Sequence, residues 1–261
     1  MRSSPFATLD GRWTRAPDEA RVAFLLAQDV AHRGLWGDGV PENSLAAADA
    51  AIERGFAIEC DVRLSRDGTV IVFHDAETTR LTGTPGRIAQ RTASELAALR
   101  LSDGEDEPVP SLAQLLARIA GRVPLIIEIK TDSRVETAPL CLAVRRVLEG
   151  YRGPAAVMGF NPEVSHWFAT HAPRVVRGLV MTEHRATPLR AIRDALLRRL
   201  AVRAAKPDFL AYDVRFLPSS LPRALRSAGV PVLSWTVRSS ADVATVAAHA
   251  DRPIFERPRP A

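Results

Sequence analysis

Cysteine and lysine are nearly missing from this chain. In 261 residues, cysteine occurs at Cys60 and Cys141 and lysine at Lys130 and Lys206. Two cysteines cannot build a disulfide framework, and no Cys/His spacing suits zinc, so the sequence reads as a cytoplasmic protein of a reducing compartment. No apolar run approaches the ~18–20 residues of a spanning helix, which argues against stable membrane insertion. Asp10, Arg12, Arg15 and Asp18 break up the start of the chain before an apolar run of signal-peptide length can form. Internal repeats and low-complexity tracts are absent. So is any long basic block: the formal net charge is +5 and the pI about 10.0, yet the basic residues lie singly or in pairs such as Arg145-Arg146 and Arg198-Arg199, without interleaved aromatics. That scatter excludes a nucleic-acid surface, while the positive field favours an anionic small molecule. Nothing in the sequence fixes an oligomeric state.

What is present is an alternation. The chain is 46% hydrophobic and long enough for one large domain, and an α/β barrel takes about 250 residues. Apolar β-like runs fall at 28–32, 56–62, 69–74, 123–129, 155–160, 175–181, 208–214 and 230–237. Amphipathic helical stretches fall at 43–55, 111–120, 135–149, 162–171, 188–204, 218–228 and 240–249. Asn43-Ser44, Ser111 and Pro162 mark helix starts. Strands and helices in this order predict a (β/α)8 barrel over residues 1–261, a single domain. Between Asp61 and His74 there is no helical segment. Asp67-Gly68 has the composition of a hairpin turn, but the expectation here is a helix-free crossover between strands 2 and 3, since about eight extended residues can cross a barrel wall. Residues 75–110, rich in Thr, Gly, Asp, Glu and Pro, are expected to form a small insertion after strand 3.

Four short segments at the ends of apolar runs carry chemistry: His32-Arg33-Gly34, Glu59-Cys60-Asp61, His74-Asp75 and Glu128-Ile129-Lys130. Glu59 and Asp61 are two apart on a strand, so both point to one face. Two like charges on one buried face are costly unless a cation lies between them. Glu128 repeats that setting, and an all-carboxylate set suits Mg2+ or Ca2+ over zinc. His32 and His74 end β runs, the barrel end that carries catalytic groups. Two histidines can supply the base and the acid that phosphodiester cleavage needs. Arg33 and Lys130 would neutralise the phosphate.

The order His32-Arg33-Gly34, Pro41-Glu42-Asn43-Ser44, Glu59-Cys60-Asp61-Val62, Asp67-Gly68 and His74-Asp75 resembles the glycerophosphodiester phosphodiesterase family. Looser similarity runs through Arg80-Leu81-Thr82-Gly83, Phe160-Asn161-Pro162 and Trp235-Thr236-Val237. The resemblance implies a (β/α)8 barrel and one divalent cation on Glu59, Asp61 and Glu128. It implies His32 and His74 as general acid and base, with Arg33 and Lys130 on the phosphate. The implied reaction takes a glycerophosphodiester and water to glycerol 3-phosphate and an alcohol. Trp235 could wall the glycerol or head group. The tail departs from the family, reading Asp251-Arg252-Pro253-Ile254-Phe255-Glu256-Arg257-Pro258 where Thr-Asp-x-Pro is usual. Alternatives are a lysophospholipase D-like activity on the same barrel and a barrel retained only for binding.

Overall fold

The computed structural model describes residues 14–131, 137–184 and 187–256. Asp10, Arg12, the first residues of the helix expected at 135–149, and Arg257-Pro258 lie outside them. In chain order the elements are α1 (Glu19–Val22), β1 (Val30–Ala31), α2 (Leu45–Glu53), β2 (Ala57–Leu64), β3 (Val70–Val72), α3 (Thr79–Thr82), α4 (Ala93–Ala97), α5 (Leu112–Ile119) and β4 (Leu125–Ile129). There follow α6 (Thr137–Leu148), β5 (Ala155–Met158), α7 (Pro162–His171), β6 (Val176–Met181), α8 (Pro188–Ala205), β7 (Phe209–Asp213), α9 (Ser220–Ser227), β8 (Val232–Val237), α10 (Ser240–His249) and β9 (Arg252–Phe255). The strand order, β1-β9-β8-β7-β6-β5-β4-β2-β3 with β1 also beside β2, is that of the (β/α)8 barrel class.

The eight strands of that class are not the eight expected. Val62, Arg63 and Leu64 of β2 pair antiparallel with Val72, Ile71 and Val70 of β3. The segment after Asp61 is therefore a hairpin, and the expected helix-free crossover is corrected. β2 instead pairs in parallel with β4, Asp61 opposite Glu128. The turn chemistry decided this. Asp67 accepts a hydrogen bond from Ser65 Oγ at 2.5 Å, Ser65 N donates to Thr69 O at 3.0 Å, and Gly68 sits at φ +80°, where a side chain is disfavoured. The place left open is taken by β9, which pairs in parallel with β8.

Two compact units make up the chain. One spans Val30–Val157 and takes in Glu256. Here β2 is buried over its first six residues, with Ile58, Cys60 and Val62 on one face and Glu59 and Asp61 on the other. The insertion has its own core: Ile71, Phe73, Leu81, Ile88, Leu96, Leu101 and Val109 are buried together. They anchor the hairpin to α3 and α4. Ser44 caps α2, accepting from Ala47 N at 2.9 Å, and capping boxes start α4 and α5.

The other unit comprises the described residues up to Asp29 together with Met158–Phe255. Its strands β6, β7, β8 and β9 run in parallel. Asn161 caps α7, accepting from Glu163 N at 3.0 Å. Trp235 lies in β8, its ring edge-on to Phe160 at 5.4 Å and its Nε1 donating to Ala211 O at 3.1 Å.

Candidate active site

The first unit gathers seven of the eight residues expected at the site; Trp235 belongs to the other unit. Glu59 and Asp61 project from β2 and Glu128 from the neighbouring β4. One carboxylate oxygen from each lies within 4.8 Å of the others. All three are buried, Glu59 and Asp61 completely. Arg33 follows β1 at φ +61° and Gly34 at φ +78°. That turn aims Arg33 N at Glu59 Oε2, 3.0 Å away, and brings Arg33 Nε to 3.2 Å from Asp61 Oδ2. Gly34 is required there, because a Cβ would lie 2.8 Å from Ala47 Cβ and 2.9 Å from the Ala47 carbonyl. Lys130 leaves the end of β4 and sets Nζ 2.9 Å from Asp61 Oδ1, with Glu128 Oε1 also in contact.

The hairpin explains how His74 reaches this layer. β2 overshoots Asp61 by three residues, and β3 brings the chain back until Phe73 N donates to Asp61 O at 2.9 Å. His74 follows directly, its main-chain oxygen held by Arg63 Nε at 2.8 Å.

Each histidine is tied through Nδ1 to a carboxylate: His32 to Glu256 Oε1 and His74 to Asp75 Oδ1, both at 2.6 Å. A carboxylate only accepts, so Nδ1 carries the hydrogen and Nε2 is left for proton transfer. His32 Nε2 stands 3.8 Å from Glu59 Oε2. Asp75 and Glu42 are braced by one side chain, Arg80, whose Nε donates to Asp75 at 2.5 Å and whose amino groups donate to Glu42 at 2.9 and 3.1 Å. Glu42 also accepts from Arg33 at 2.7 Å. Asn43 clamps Asp61 from both sides: its Nδ2 donates to Asp61 Oδ2 at 3.0 Å and its Oδ1 accepts from Asp61 N at 3.1 Å.

Sequence reasoning singled out none of Glu42, Asn43, Asp75, Arg80 and Glu256 as site residues. The signal for the first two was the Pro-Glu-Asn-Ser tetrapeptide, read as a helix start and as part of the family pattern but given no role at the site. For Glu256 it was an acid standing in the second position of the variant Phe-Glu-Arg-Pro.

The electrostatics favour a bound cation. Burial and the neighbouring Asp61 charge push the Glu59 carboxyl far above its ordinary range, and burial raises Glu128 as well. Asp61 goes the other way: burial opposes its ionisation, but Lys130 and Arg33 hold it charged. Burial also opposes charge on His32, yet Glu59 and Glu256 raise its pKa, whereas burial lowers that of His74. Three carboxylates thus face two fixed cations. Glu59 Oε1 is buried with no hydrogen-bond donor, the atom an additional cation would satisfy. A hard-oxygen donor set of this kind fits Mg2+ or Ca2+.

A barrel of this class with a buried carboxylate cluster flanked by two histidines defines a hydrolase-like site at one strand end. The chain belongs to the glycerophosphoryl diester phosphodiesterase family, whose model matches residues 32–252. It is 37% identical over 109 residues to a glycerophosphodiester phosphodiesterase of Caldanaerobacter subterraneus, covering 39% of this chain and 44% of that protein. A glycerophosphodiester phosphodiesterase of Bacillus altitudinis is 31% identical over 115 residues, with 42% and 46% covered. The chain thus spans under half the length of the relatives it matches. Over the whole fold it is similar to a phosphodiesterase of Oleispira antarctica, solved with the product sn-glycerol-3-phosphate. That similarity has a TM-score of 0.75 at 24% identity, with 89% of this chain and 93% of that one covered.

Proposed function

We infer that this protein hydrolyses glycerophosphodiesters to glycerol 3-phosphate and an alcohol. The observation that carries the reading is the convergence of Glu59, Asp61 and Glu128 beside two carboxylate-anchored histidines. Glu59, Asp61 and Glu128 would hold one divalent cation, Mg2+ or Ca2+. When bound, such an ion polarises a phosphoryl oxygen as a Lewis acid. Arg33 and Lys130 offset the remaining phosphate charge, Arg33 through its planar donors and Lys130 as a point charge. One histidine takes the proton of the attacking hydroxyl and the other gives a proton to the departing alkoxide. Asp75 and Glu256 hold the two rings in the tautomer this exchange needs.

The test is turnover of glycerophosphocholine, glycerophosphoethanolamine and lysophosphatidylcholine, each with Ca2+, Mg2+ or a chelator. Glycerol 3-phosphate, lysophosphatidate and choline are read out separately. The expected result is metal-dependent release of glycerol 3-phosphate, with His32→Ala and His74→Ala each slower by about a hundred-fold or more. Turnover of none of the three, or turnover indifferent to chelation and to both substitutions, overturns the reading. Lysophosphatidate as the main product would shift it to lysophospholipids.

A further inference from the structure

Helix α8 is 18 residues long, about 27 Å at 1.5 Å per residue. Its inner face is conventional: Arg199, Val202 and Ala205 are buried. Its outer face is not. Ile192, Leu196 and Leu200 follow one another at i, i+4 and i+8, with Leu197 beside them, and they are 56, 39, 46 and 52% exposed. Among the described residues the remaining large hydrophobic with such exposure is Phe160. Isolated exposed leucines are ordinary, but a contiguous stripe on one helix marks a surface meant to be covered.

The charges around the stripe say what covers it. Arg190, Arg193 and Arg203 are exposed on the same side of the helix. The acid within the helix, Asp194, is partly buried and paired with Arg193 at 3.1 Å. A second copy docking through this face would set arginine against arginine, with Asp194, already paired with Arg193, as the acid on the helix to answer them. A surface with negative charge over an apolar interior answers both features. It accepts the aliphatic side chains while the arginines stay at the charged layer.

We propose that the outer face of α8 seats the protein peripherally on anionic phospholipid. The seat shares no residue with the candidate active site and does not depend on the catalytic reading. Where both hold, it brings a diesterase to the surface whose lipids, once both acyl chains are removed, become its substrates.

The experiment is co-sedimentation of the full chain with vesicles of phosphatidylcholine alone or with one third phosphatidylglycerol, at low and high salt. The wild type should bind the anionic vesicles at least about ten-fold more tightly, and both Leu196→Gln/Leu200→Gln and Arg190→Glu/Arg193→Glu should lose about ten-fold or more. Circular dichroism and turnover of a water-soluble diester should stay unchanged in both. A fluorophore on Leu197→Cys, in an otherwise native chain, should shift to the blue when anionic vesicles are added. Absence of wild-type binding at low salt overturns the proposal, as does binding that the leucine variant retains in full. So does a dimer, seen by light scattering, that the leucine variant abolishes, which would make the face a seat for a second copy.

Discussion

His32 and His74 are positioned by acids of different origin, Asp75 next in sequence and Glu256 far along the chain. If Glu256 orients His32, Glu256→Gln should lower kcat by about ten- to hundred-fold with a smaller change in KM, and Glu256→Asp should restore much of it. Steady-state kinetics on a soluble diester decide this. Gly34→Ala puts a side chain at φ +78° and against Ala47; a urea titration should show a loss of about 1–3 kcal/mol. Asp75 has a signature in acid. Burial opposes its ionisation, but the hydrogen bonds from Arg80 and His74 bring its carboxyl from 3.8 down to about 2. The folded value is depressed, so its contribution to stability is complete above the unfolded value and is lost as pH falls toward 2. The stability gap between wild type and Asp75→Asn should therefore close between about pH 5 and pH 2. At this scale the carboxylate and histidine candidates stood out because each lies at the end of an apolar run, which is a local signal. Asn43 and Glu256 were not, because their partners lie 18 and 224 residues away.

The β2–β3 hairpin and the small core behind it make the insertion part of the site. Leu96→Ala, at a fully buried position in that core, should cost about 2–5 kcal/mol in urea unfolding. It should also reduce turnover, since the same cluster includes Ile71 and Phe73, which lead into His74. The helices were well marked by their periodicity and caps: α7 and α10 begin and end where the sequence places them, and α2, α5, α6, α8 and α9 within two residues. One strand was given the wrong pairing and another was not read, both for physical reasons. The run at 69–74 looks like any buried strand, and only the Asp67-Gly68 turn separates a hairpin from a crossover. β9 is four residues long and includes Pro253, too short and irregular to show a period.

For the molecule as a whole, the uncompensated acids predict linkage between cation and folding. Saturating Ca2+ or Mg2+ should raise the melting temperature, by mass action worth about 2.7 kcal/mol at a hundred times the dissociation constant. Glu59→Gln should abolish that shift, and differential scanning fluorimetry without substrate reads it directly. Among the described residues no helix is long and apolar enough to cross a membrane. The scarcity of lysine has a practical counterpart in the structure. Lys130 is enclosed by Asp61 and Glu128 with its side chain 15% exposed, and burial is outweighed there by the two carboxylates that keep it protonated. Lys206 stands exposed at the end of α8. Among the lysine side chains, an acylating reagent therefore finds one ready nucleophile, so a dye or a tether can be written onto the lipid-facing helix without cutting or rebuilding the chain.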